Sequence, residues 1–142
     1  MTKLNTIKIP LWVNIMQSIL VLIMLGQVYM YFLNHQMMID SGIHTEGIPN
    51  LNLIYEMGAR TLVMALISIY VMVTQNPQQY LVVLIMNILR EGFETIIDPL
   101  YPLLNAPASP MVDVVMHIVI VAVEVLAFVT VFKLVKKNSI TV

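Results

Sequence analysis

Four apolar runs, each about as long as a bilayer is thick, leave this chain few ways to fold. A helix rises about 1.5 Å per residue, so about 20 residues cross the hydrocarbon core, and every backbone N–H and C=O there must be paired within the segment. The runs extend from about Pro10 to Leu33, Leu51 to Thr74, Gln78 to Asp98 and Pro110 to Val135. Pro10 is tolerable at a helix start, where its missing N–H has no partner anyway, while Pro99 and Pro102 stop the third run. The fold expected is all-α: a single integral membrane domain over 1–142, built as an antiparallel four-helix transmembrane bundle.

Composition agrees and narrows the function. Hydrophobic residues make up 59% of the chain and charged residues 11%, outside the soluble range. No basic run, repeat or Gly/Ser linker is present, which removes a nucleic-acid surface and a second domain from consideration. The absence of cysteine excludes disulfides, thiolate ligands and dithiol redox chemistry. There is no G-x-S-x-G and no P-loop. Lys3 and Lys8 precede the first run as in a signal peptide, but the run is too long for one and no small-x-small cleavage site follows, so a retained anchor is expected.

The lysines set the expected orientation. Lys3 and Lys8 flank one end, Lys133, Lys136 and Lys137 the other, so both termini are expected in the cytoplasm. The loop from His35 to Asn50 and the LYPLLNAPASP connection then lie outside, and in a bacterium the membrane would be the inner one.

The third run is the costly one. It reads NILREGFETIID and carries Arg90, Glu91, Glu94 and Asp98, each worth roughly 2.5–3.5 kcal/mol against insertion unless partnered. At about 100° per residue, Asn87, Arg90, Glu91, Glu94 and Asp98 share one stripe. Asp113, His117 and Glu124 form a second on the fourth helix, and Glu56 and Arg60, four apart, a third on the second helix. Lipid cannot satisfy these stripes, so they are expected to face one another in the outer half of the bundle. The first helix, with Asn14, Gln17, Ser18 and Gln27, has no evident place in this scheme, and Asn14 and Gln17 are equally read as interhelical hydrogen-bond partners of modest strength.

Against Arg60 and Arg90 the spans hold Glu56, Glu91, Glu94, Asp98, Asp113 and Glu124. Neighbouring acids cannot all stay ionised cheaply in low dielectric, so protons, a cation or a ligand must share the site. A di-iron centre would need Glu-x-x-His on two helices, and neither pair exists here, so no metal is assigned. Three functions fit the residues. In the first, a small lipophilic ligand is held by Arg60, Arg90, Glu56, Asp98 and Asp113, with Glu91, Glu94 and His117 handling protons. The second is an enzyme using Glu91, Glu94 and His117 for acid/base chemistry, of isomerase or cyclase type, on a lipid-soluble substrate. The third is proton or cation translocation, disfavoured because only VLAFVTVF follows Glu124. A purely structural ion-pair network is the competing account.

The run Gly58-Ala59-Arg60-Thr61-Leu62, the acid within GFETIID and the early His117 resemble the DoxX-like group of small four-helix membrane proteins and neighbouring uncharacterised families. Thr61 departs from the acid of that pattern, and Arg90, Glu91 and Asp98 are extra. The resemblance implies a compact bundle and, for some members, service as a membrane subunit of a quinone-linked oxidoreductase. A quinone would then sit near Gly58, Arg60, Glu94 and His117. The apolar first helix and its YMYF edge leave room for a homo-oligomer or a larger membrane complex.

Overall fold

The computed structural model describes residues 8–101 and 109–139, so Lys3 and most of the LYPLLNAPASP connection lie outside the described residues. The described chain is entirely helical: α1 Leu11–Leu33, α2 His35–Asp40, α3 Ile48–Thr74, α4 Pro77–Leu100 and α5 Pro110–Ser139. Three of these helices, α1, α3 and α5, are long and apolar enough to cross a membrane, with mean hydropathies of 1.8, 1.7 and 2.6. The chain is a helical membrane protein by that criterion. The 24 residues of α4 match a span in length, but its charges keep it out of the apolar set.

Helix ends follow local chemistry and correct several expected boundaries. α3 begins at Ile48, earlier than Leu51, because Pro49 fits the first turn and Gly47 supplies a φ of 83° before it. α4 runs past Asp98 to Leu100 with Pro99 inside its last turn, where little of the hydrogen-bond ladder remains to be lost. The tight α3–α4 connection works because Gln75 adopts a left-handed φ of 52° and the Asn76 side chain accepts from the Gln78 and Gln79 N–H groups. The segment expected as a plain loop from His35 contains α2, and His35 Nε2 lies 3.0 Å from the Tyr31 carbonyl at the α1 terminus.

Packing pairs the helices. α4 lies along α5 and α1 along α3, with a smaller α3–α4 contact. One apolar cluster gathers all four long helices near the Gln75 end, through Val13, Val71, Tyr80, Val83, Leu84, Ala127 and Val131. A second, of Leu20, Val21, Met24 and Ala65, joins α1 to α3. The outward faces are lined with apolar side chains such as Leu22, Val73, Val82 and Leu126, the surface expected of a bundle solvated by lipid.

Gly58 sets the α1–α3 distance. A Cβ there would lie 2.8 Å from Phe32 Cε2 and 2.9 Å from Tyr31 Cβ, too close to be accommodated by one flexible tip. Small residues admit such close approach in membrane bundles. Gly58→Ala is expected to lower unfolding stability in detergent by about 1–3 kcal/mol through overpacking. Gly26→Ala, with nothing near its added methyl, is expected to be neutral or to add up to about 1 kcal/mol.

Candidate functional site

The spacing of 87, 91, 94 and 98 on α4 puts one polar stripe against α5, where 113 and 117 are a turn apart. His117 is the hinge of the arrangement. Its Nδ1 lies 2.9 Å from Glu91 Oε2, and its Nε2 lies 3.2 Å from Asp98 Oδ2 and 3.8 Å from Asp113 Oδ1. Arg90 pairs with the other oxygen of Glu91, and its Nε approaches Glu94 Oε1 at 4.0 Å. Glu91 thus sits between a guanidinium and an imidazole.

Burial is graded along this chain of contacts. The Asp98 side chain is 40% exposed, that of His117 14% and that of Glu91 5%. The imidazole therefore links carboxylates reached by solvent to one that is not. Both ring nitrogens face carboxylate oxygens, so the ring either carries two protons or shares one with a neighbouring acid. The donor atoms of Glu91, Glu94 and His117, and of Asp98, Asp113 and His117, each lie within 4.8 Å of one another, the size of a metal site. An ion there would compete with the Arg90 and His117 contacts already made.

Further along the helices comes a layer of buried polar side chains, one from each long helix: Gln17, Ser68, Asn87 and Glu124. Asn87 Nδ2 donates to Gln17 Oε1 at 3.3 Å. Gln17 Nε2, Ser68 Oγ, Asn87 Oδ1 and both Glu124 oxygens have no partner. One turn beyond, toward the Gln75 end, Asn14 accepts from Tyr80 at 2.8 Å and from Gln75 Nε2 at 2.9 Å.

Six of the eight residues expected at the site are brought together: Arg90, Glu91, Glu94, Asp98, Asp113 and His117. Glu56 and Arg60 are not, which corrects the expectation of three converging stripes. They pair with each other at 3.1 Å on the outward face of α3, the Arg60 side chain 76% exposed, with Asn52 donating to Glu56. The cause is Gly58, which turns the adjoining face of α3 toward α1 and leaves Glu56 and Arg60 nearly opposite. Asn14 and Gln17 act as interhelical hydrogen-bond partners, as the sequence allows, and Gln17 is in addition a fully buried member of the core. Its signal was the three-residue spacing from Asn14, a polar pair on one face of an apolar helix.

No family model matches the chain, and no curated protein or solved structure matches it.

These placements predict unequal costs. Glu91→Ala, which strips both Arg90 and His117 of a buried partner, is expected to destabilise the protein by roughly 3–5 kcal/mol. Arg60→Ala, at an exposed pair, is expected to cost at most about 1 kcal/mol. Denaturant unfolding of both variants in the same detergent checks the ratio.

Proposed function

We propose that this is a four-span membrane protein, with both termini cytoplasmic, that binds a small lipophilic ligand within the bundle and exchanges protons for it with the outer side. Lys8, Lys133, Lys136 and Lys137 support that orientation, and with it an inner-membrane location if the source is bacterial. α4 counts as the fourth span because its charges turn inward to α5.

The observation that carries the reading is the bridging position of His117 between Asp98 and Glu91. A proton received at Nε2 from the solvent side can be passed on at Nδ1 to a carboxylate that water does not reach. His117 and the acids thus form a route from the outer boundary as far as the buried Glu91, one helical turn along α4 from Asn87.

The route has a floor. Between the Asn87 layer and the cytoplasmic end, Val13, Val71, Val83, Leu84, Ala127 and Val131 pack around Tyr80. An apolar cluster of this kind, broken among the described residues only by the Asn14–Tyr80–Gln75 hydrogen bonds, supports exchange with one side in preference to conduction across the membrane. It also extends the case against translocation from α5 alone to all four long helices. Acid surplus favours a ligand site over a self-sufficient structural network: Arg90 and His117 face Glu91, Glu94, Asp98 and Asp113, and Glu124 lies near them unpartnered.

Two measurements test this. Native mass spectrometry of protein released from nanodiscs is expected to reveal a retained lipophile other than bilayer phospholipid; a bare protein would contradict ligand binding. In sealed proteoliposomes under a pH gradient, proton leak is expected to equal that of empty vesicles. A steady flux abolished by Glu91→Gln would replace binding with transport.

A further inference from the structure

The His117 cluster is filled by its own ion pairs, but the bundle has an open site next to it. A groove of about 340 Å³ runs between α1 and α5, lined by Trp12, Ile15, Ile19, Ile23 and Val123, with Glu124 in its wall. Every lining residue except Glu124 is hydrophobic. Glu124 has no exposed surface, and both of its carboxylate oxygens lack a hydrogen-bond partner.

An unpartnered buried carboxyl is costly, and among the described residues the unpaired donors of its own layer, Gln17 Nε2 and Ser68 Oγ, are neutral and bring no charge to match it. The polar side chains of the same layer include Asn87 and Gln17, which bond each other. Arg90 pairs with Glu91 and lies 4.0 Å from Glu94, and its buried Nε makes no hydrogen bond to Glu124 or to any other described residue. What the carboxylate lacks is a charged donor, and what the groove offers around it is apolar surface.

We propose that the α1/α5 groove binds a lipophilic amine, its ammonium group donating to Glu124 and its apolar body lying between Ile19, Ile23 and Val123. This deepens the ligand-binding reading above and rests on it. The ammonium supplies the N–H donors and the positive charge together, and the surplus of acids around Arg90 adds attraction of the same sign. A neutral alcohol would satisfy one oxygen without the charge. A carboxylate or phosphate ligand would be repelled.

Trp12 is the only tryptophan in the chain and lines the groove, so it reports occupancy directly. The probes are 4-(4-bromophenyl)butylamine and the matching alcohol, 4-(4-bromophenyl)butan-1-ol, whose bromine quenches nearby indole fluorescence. The protein is held in phosphatidylcholine nanodiscs, which contribute no primary amine. The amine is expected to quench Trp12 saturably, with an apparent Kd at least tenfold below that of the alcohol. In Glu124→Gln the amine should fall to the alcohol's level, and Val123→Phe should abolish saturation by both.

Equal saturation by amine and alcohol in the unaltered protein overturns the ammonium assignment while leaving a lipophile site in place. Saturation by neither overturns both readings. An amine advantage that survives Glu124→Gln, or survives Val123→Phe, places the amine elsewhere and overturns the assignment to this groove. The amine–alcohol comparison uses unaltered protein, so a folding defect in either variant does not blunt it.

Discussion

The Glu91 carboxylate, held between Arg90 on its own helix and His117 on the next, is the interaction on which the rest of the bundle depends. α4 carries four charges within nine residues, too many for a helix facing lipid. Pairing across the α4–α5 interface turns those charges inward and leaves apolar residues such as Val82, Leu89 and Ile96 outside. The same contact fixes the register of the two helices, since a shift of one turn would separate His117 from Glu91 and Asp98 together. Hydrophobic packing does not set register so sharply in a membrane, where side chains gain little by leaving lipid for each other.

From that anchor the polar groups continue inward by small steps and then stop. Asp98 and Asp113 meet solvent, His117 bridges, Glu91 is buried, and the layer of Gln17, Ser68, Asn87 and Glu124 lies beyond. The apolar cluster around Tyr80 closes the far side. A polar interior that opens at one end and holds unpaired atoms at its depth is poorly explained as scaffolding, because scaffolding gains nothing from unsatisfied groups. The α1/α5 groove brings a ligand arriving through lipid to the one of those groups that lines it, Glu124.

Much of this was legible in the sequence for one reason: lipid enforces simple rules. The lengths of the four long helices and the convergence of the α4 and α5 stripes follow from hydrophobic run length and helical periodicity. Glu56 and Arg60 escaped those rules. Periodicity shows that two charges share a face, but which neighbour that face meets was decided by Gly58, whose missing Cβ admits Tyr31 and Phe32. Gln17 was legible as an interhelical partner, but which residue it would meet was not, since Asn87 lies 70 residues away and only packing brings them together. The short α2 carries no strong pattern of its own and is tied to the end of α1 by His35. The DoxX-like resemblance rested partly on Arg60, which the fold places away from His117, so the quinone site that it implied is not assembled around that residue.

The central claim is that His117 meets a carboxylate at both nitrogens, joining a buried acid to a solvent-reached one. Nitrogen-15 NMR of the His117 ring in lipid nanodiscs measures this most directly. Glu91→Gln is predicted to shift the Nδ1 resonance and leave Nε2 nearly unchanged, and Asp98→Asn to do the reverse. A His117 ring whose two nitrogens respond to neither substitution would contradict the account.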